Sequence, residues 1–566
     1  MKRYYYILFF LCMLAGISLP AQVWQWSVPV ANARNADAHA FLWVPENCKQ
    51  VKAVVVTQNN MEELSIVEND HFRQQMGRLS VAIIWVSPAF DLFFNFSAVS
   101  HKENFPAESP KGDAAVRKPA GDIFNSMMNE LAAVSGYTEL QYAPIIGMGH
   151  SAAASWPYYF AAWNPGRTLA CISVSGQWPY VRHPQFAPDI WTKDQHIDFI
   201  PCLETMGEYE AADTWSTEGL KERKEHPFLP LSMLACPAEG HFATTEKKIR
   251  YIAFYIAKAA RYRLPHPYPA TGAPVLKRVD PTTTGWLMDK WRKDQLPIVP
   301  AAPVGKYTGD TTQAFWFFDE ETVRITEQYQ AAWRNKKAQL LGYVQEGKTV
   351  KQRNSHLQAE MSFIPQPDGI TFHLKGAFLD TVPGESERPK TWTGLPVGAA
   401  VGHAQNNIPV VVDRIIGPFE KISDTVFRLQ LQKGLPAQPK NYVFTLAATH
   451  PGDAIYKPAV QQGQMTAPVA NKEGAEQAIR FNTIGPLKKG TRSITLQAVS
   501  TAGLPVSFYV REGPAQVKGN RLHFTKIPPR SKFPVKVTVV AWQYGRGNEP
   551  KIKTASTIEQ SFYIVP

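Results

Sequence analysis

Cysteine is scarce in this chain, five in 566 residues, and no two stand as Cys-x-x-Cys. A disulfide scaffold and a cysteine-held zinc module are excluded by that count and spacing. No two histidines stand four apart, so the helical pair that would hold a catalytic zinc is missing as well. Charged residues make up only 19% against 44% apolar, which rules out a mainly disordered or coiled-coil chain and leaves material for several packed cores. There is no internal repeat and no low-complexity tract, so solenoids and propellers drop out. No dense Lys/Arg run or nucleic-acid motif occurs, and beyond the first 21 residues no apolar run reaches the roughly 20 residues a bilayer span needs.

The first segment reads as an address. Lys2 and Arg3 precede an apolar run from Tyr4 to Ile17, and Ser18-Leu-Pro-Ala21 offers a small residue before Gln22. We expect a secretory signal over 1–21, with Cys12 too near the start for lipid attachment, and a protein exported to the periplasm, cell surface or medium. Removing Lys2 and Arg3 with it lowers the formal charge from +12 to +10. Those charges are dispersed and read as a solubilising surface. The remaining cysteines are Cys48, Cys171, Cys202 and Cys236; three sit in apolar runs, and buried thiols are expected.

At this length three or four domains are expected. Residues 22–264 alternate strand-like and helix-like patterns, which predicts an α/β domain with a parallel sheet covered on both faces. Strands are read at His39 to Val44, Ala53 to Thr57, Val81 to Val86, Ala143 to Met148, Leu169 to Val174, Phe199 to Thr205 and Leu231 to Cys236. Helices are read at Glu62 to Arg78, Gly121 to Val134 and Thr245 to Tyr262. The last carries Ile249, Ile252, Ala253, Ile256 and Ala260 along one side. Residues 265–355 follow as a connector: Pro265 to Pro303 holds eight prolines, with Trp286, Leu287 and Trp291 as tacking points. One helix is expected there, opened by Asp319-Glu-Glu321 and closed by Arg334, Lys336 and Lys337. Beyond it the period becomes two, as in Ile370, Phe372 and Leu374 and in Phe427, Leu429 and Leu431, predicting a β-sandwich over 356–470. A second sandwich is expected over 471–566, with Val506, Phe508 and Val510 alternating and Gly519-Asn520 as a two-residue hairpin turn.

One stretch carries the signature of chemistry. At Gly147-Met-Gly-His-Ser151-Ala-Ala153 an apolar strand meets a helix with a serine at the bend. A turn that tight demands small flanking residues and pushes the serine out above the sheet, while the N–H of Ala152 at the helix start is placed to stabilise an oxyanion. A serine that merely caps the helix is the plainer reading of the same residues.

Gly149-His-Ser151-Ala-Ala153 resembles the nucleophile elbow of the α/β-hydrolase superfamily, with Ala153 where that family has its last glycine. The resemblance implies an acid after a later strand and a histidine after the last one. His241, in Pro237-Ala-Glu-Gly-His241 after the strand ending at Cys236, matches the base, and Glu210, three residues beyond Gly207, matches the acid; Glu208 and Asp213 stand close enough to be rivals. The second oxyanion donor is expected from the loop Gln58-Asn-Asn-Met61, as the backbone N–H of Asn60. Trp178, Trp191 and Trp215 lie in loops after the strands, to bind substrate or to cover the core. The final segment resembles a bacterial immunoglobulin-like domain, through Gly503-Leu-Pro-Val-Ser-Phe508, Gly513 to Asn520, Leu522 with Phe524, and Ile558 to Val565; a spacer or binding module is implied.

These resemblances imply a secreted serine hydrolase that cleaves carboxylic esters without metal or cofactor. Its substrate is an acylated polysaccharide or a small ester, and no nucleic acid is involved. A serine peptidase of prolyl-oligopeptidase type and an exported binding protein with an inert hydrolase domain are the alternatives.

Overall fold

The computed structural model describes residues 23–31, 33, 37–94, 120–180, 196–210, 212–352, 359–384, 392–436 and 439–566. The expected signal segment over 1–21 and Trp191 lie outside the described residues.

The N-terminal region is built on β1 (Trp26–Pro29), β2 (His39–Trp43), β3 (Ala53–Gln58), β4 (Val81–Ser87), β5 (Ile145–His150), β6 (Thr168–Val174), β7 (Cys202–Gly207) and β8 (Leu231–Cys236). They form one eight-stranded sheet in the order β1-β2-β4-β3-β5-β6-β7-β8. The pairs β1/β2 and β2/β4 are antiparallel and the rest parallel. Every residue of β3 to β8 is buried, as a sheet covered on both faces requires. The segments carrying Ser151, Glu210 and His241 emerge from the carboxyl ends of β5, β7 and β8, where open α/β sheets place their ligands.

The helices are α1 (Glu63–Val67), α2 (Asp70–Leu79), α3 (Ala120–Ser135), α4 (Trp156–Trp163), α5 (Ala212–Glu225) and α6 (Glu246–Arg263). The single helix expected over Glu62 to Arg78 is two, because the Asn69 side chain accepts from Phe72 N at 3.1 Å and caps a fresh start. In α6, Thr245 caps Lys248 N, and Ile249, Ile252, Ala253, Ile256 and Ala260 are all buried against one side of the sheet. Each buried isoleucine contributes on the order of 1.5–3 kcal/mol. The strand expected from Phe199 starts at Cys202, after Pro201, which has no N–H to give a ladder. All four described cysteines are buried and free.

The connector is more structured than its prolines suggest. Strands β9 (Trp286–Asp289), β10 (Ala302–Pro303) and β11 (Ala314–Phe317) pair as a small antiparallel sheet. Its side chains join both cores of the large sheet, Met288, Phe315 and Phe317 on one face, Leu287, Trp316 and Phe318 on the other. The helix α7 (Glu320–Ala331) is capped by Asp319 as expected, but ends before Arg334, Lys336 and Lys337, where Trp333 and Asn335 turn the chain with positive φ.

The C-terminal half is strand-rich. A four-stranded sheet of Ala359–Ser362, Ala459–Pro468, Asn441–His450 and Val411–Ile416 shares one core with smaller sheets, including Leu341–Gln345, which lies within the expected connector yet pairs with Lys375–Phe378. The last region pairs Leu487–Lys488, Ile558–Val565, Val535–Trp542 and Ser507–Glu512 in a second four-stranded sheet. A three-stranded sheet completes that core, and in it Gly519-Asn520 turns a hairpin as expected. Among the described residues no helix is long and apolar enough to cross a membrane.

Candidate active site

At the end of β5 the chain makes a turn that few residues tolerate. Ser151 has φ 54°, and a Cβ on Gly149 would stand 1.9 Å from the Ala153 carbonyl oxygen. Only glycine fits at 149, and the strained serine is held above the sheet. At Gly147 a Cβ would likewise stand 2.8 Å from a Pro157 carbon, and its absence lets α4 lie against β5. Ala153 is fully buried within the core, so its methyl group is accommodated where a glycine would have left a gap. A short 3₁₀ turn, Ser151–Ala154, precedes α4. Ala152 sits in its first turn, where backbone N–H groups lack acceptors within the helix.

Three side chains distant in sequence meet there. Ser151 Oγ lies 2.8 Å from His241 Nε2, and His241 Nδ1 hydrogen-bonds Glu210 Oε1. The imidazole and the carboxylate side chains are 10% and 9% exposed, so solvent screens their interaction little. Burial opposes the Glu210 charge, but the His241 hydrogen bond and the nearby positive groups outweigh it and hold the carboxyl at about 2. Glu210 thus remains an acceptor throughout the ordinary pH range.

The rival acids face elsewhere. Glu208 accepts from Ala238 N at 2.9 Å and from Lys457 Nζ at 2.9 Å, and Asp213 lies in the first turn of α5. The close approach of the Glu210 and His241 loops depends on Gly207, where a Cβ would stand 2.4 Å from Glu239 O, and Tyr209 N donates to that same oxygen at 3.0 Å. Beneath His241, Glu239 accepts from Thr245 Oγ1 and Tyr329 OH, each at 2.8 Å, and pairs with buried Lys248 at 3.0 Å. Burial works against the Lys248 ammonium, but the neighbouring Glu239 keeps it protonated.

Asn60 lies beside the elbow, but its backbone N–H is not open to an oxyanion. It donates to Glu63 Oε2 at 3.0 Å, Met61 N donates to the same oxygen at 2.7 Å, and His150 N donates to Glu63 Oε1 at 2.8 Å. Glu63 binds the loop after β3 to the elbow; burial pushes its carboxyl up to about 7 despite these bonds. Asn60 instead acts through its side chain, which donates to His150 O at 2.9 Å. Of the two roles expected for Trp178, binding substrate or covering the core, its surroundings fit the second. Trp178 is 1% exposed, lies against Trp215 and Phe315 at interplanar angles of 23° and 11°, and donates to Trp215 O. Apolar burial claimed its ring, while Trp215 is half-buried at the edge of that stack.

Sequence reading passed over Glu62, Glu63 and His150. Two acids in succession before an apolar stretch were the available signal, since a water-facing helix start does not require them there. Both carboxyls are fully buried.

No family model and no curated protein matches the chain. Among solved structures it is similar to an S-formylglutathione hydrolase from Agrobacterium tumefaciens, at 12% identity and a TM-score of 0.30 over 42% of this chain and 93% of that one. It is also similar to LpqC, a poly(3-hydroxybutyrate) depolymerase from Bordetella parapertussis, at 14% identity and a TM-score of 0.29 over 41% and 88%. A third is FphF, a fluorophosphonate-binding serine hydrolase of Staphylococcus aureus, at 10% identity and a TM-score of 0.30 over 41% and 97%.

Proposed function

We propose that this chain is a serine hydrolase that cleaves carboxylic esters through an acyl-enzyme. The observation that carries the reading is the continuous relay from Ser151 Oγ through His241 to Glu210. Ser151 attacks the acyl carbonyl while His241 Nε2 takes its proton, and Glu210 holds the Nδ1 hydrogen and stabilises the imidazolium. The oxyanion is received by the N–H of Ala152, at the head of the turn. Collapse transfers the proton from His241 to the departing alkoxide. Water, activated by the same imidazole, then releases the acid and restores Ser151.

The strained serine supports this reading over a helix-capping role, because a cap needs no φ of 54°. For the substrate we propose an acyl group carried on a polysaccharide, in a protein exported by its first 21 residues; the appended strand-rich regions are the support for the former and the Lys2-Arg3 start for the latter.

The test is labelling with a fluorophosphonate probe together with hydrolysis of a nitrophenyl acetate and of acetylated glycans. Ser151→Ala is expected to lose labelling and at least about 10⁴-fold in turnover. Labelling that persists unchanged in that variant overturns the proposal, and acetate release from small esters alone overturns the polysaccharide substrate.

A further inference from the structure

The first strand-rich region does not hang from the α/β domain as a spacer. Side chains of this region reach both the Glu210 loop and the His241 loop. On the acid side, Lys457, just before the strand Ala459–Pro468, sends Nζ to Glu208 Oε1 at 2.9 Å, with the two side chains 4% and 3% exposed. One residue on, Tyr209 stacks on Trp392 with centroids 4.5 Å apart, and Trp392 Nε1 donates to Tyr209 O at 3.1 Å. Trp392, Tyr209, Leu340, Val382 and Val401 form a buried cluster of their own. Glu210 follows directly, so the two residues before the acid are both gripped by the other region.

On the base side the contact is apolar. Phe242 meets the His241 ring edge-on, with centroids 4.6 Å apart, and is 3% exposed. It is buried against Ile415 and Ala447 from two strands of the same sheet, with Met61 and Val460 packed beside them. A hydrogen bond from Ser65 Oγ to Ile415 O at 2.6 Å fastens the sheet to α1 next to the loop after β3.

We propose that the first C-terminal β-region is a clamp that sets the spacing between the acid and base loops, with Lys457 and Trp392 as positioning residues for Glu210; this rests on the serine-hydrolase reading above. The physical ground is that Glu210 and His241 sit on separate loops, and a misplacement of about 1 Å between reacting groups costs up to about a hundredfold in rate. A buried ion pair is directional and strongly coupled to its surroundings, since removing one partner leaves the other uncompensated. Glu208, held by Lys457 on one oxygen and Ala238 N on the other, therefore bridges the acid loop, the base loop and the clamp.

The experiment uses the full chain. Lys457→Met and Trp392→Ala are expected to lower kcat for a nitrophenyl acetate by about tenfold or more while KM stays within about twofold, with Lys457→Arg restoring most of the loss. Lys421→Met, which removes an exposed charge pair of the same region, is expected to keep the wild-type kcat. Should Lys457→Met fail to accumulate folded, Glu208→Gln combined with Lys457→Met leaves no buried charge unpaired, since the remaining partners Lys293 and Asp294 are partly exposed, and carries the same expectation. Wild-type kcat in the folded clamp variants, with labelling abolished by Ser151→Ala, overturns the clamp alone. Labelling that survives Ser151→Ala overturns the hydrolase reading and the clamp with it.

Discussion

His150 donates its Nε2 hydrogen to the backbone carbonyl of His241 at 2.8 Å. The residue before the elbow serine thereby holds the main chain of the histidine opposite it, and the two rings lie 4.9 Å apart. Burial, followed by the nearby His241, drives the His150 pKa well below its usual value, so the ring stays neutral and keeps one donor for this bond.

Replacing His150 by Phe keeps the ring and removes the donor. The freed carbonyl is expected to cost about 1–3 kcal/mol of stability. Loosened spacing between Ser151 and His241 should lower kcat about ten- to a hundredfold with KM little changed. Steady-state kinetics and thermal melting check both, and an unaltered kcat would refute the link.

Two buried carboxyls act on stability with opposite sign as pH changes. Glu210, held at about 2 in the folded chain, contributes stability present above its ordinary 4.5 that is lost as pH falls towards 2. Glu62 is fully buried 3.7 Å from His150 Nε2, and burial, opposed in part by Lys248 and Thr244, raises it to about 7. Its contribution is complete below 4.5 and is lost as pH rises through about 7. Glu62→Gln is therefore expected to stabilise the protein at pH 8.5, by on the order of 3 kcal/mol, and to change little at pH 4. Melting at the two pH values tests this, and equal effects at both would refute it.

The glycine pattern around the loops predicts a sharp asymmetry. Gly149→Ala and Gly207→Ala push a methyl group into a carbonyl at 1.9 and 2.4 Å, and each is expected to cost at least about 1–3 kcal/mol and most of the activity. Ala153→Gly removes a methyl group that already fits and should keep the wild-type kcat within about threefold. Comparing the three variants in one ester assay decides the point.

Trp178 should behave as a core residue. Trp178→Ala is expected to destabilise by about 3–5 kcal/mol, whereas Trp178→Phe should leave KM for both small and polymeric esters unchanged. A KM that rises for a glycan ester alone would return the ring to substrate binding.

Much of the α/β region was legible from local pattern. Buried parallel strands read as short apolar runs, α6 showed its stripe at three- and four-residue spacing, and the crowding around Ser151 needed small residues within a few positions. These features depend on near neighbours in the chain, where backbone geometry and periodicity act. The place of Glu210 after Gly207 favours it as the candidate acid, but Glu208 and Asp213 stay as rivals in the sequence, because the choice depends on partners from afar. Lys457 takes Glu208 from 249 positions away, leaving Glu210 to His241, 31 positions away. The Asn60 N–H and the Trp178 ring are taken up for the same reason: a buried carboxylate occupies the one and a neighbouring indole covers the other. Sequence alone determined which backbone could turn tightly and which faces had to leave water. Tertiary structure decided which side chain each polar group met, since hydrogen bonds and ion pairs in a dry interior reach only a few ångströms and local spacing carries no record of what the fold brings that close.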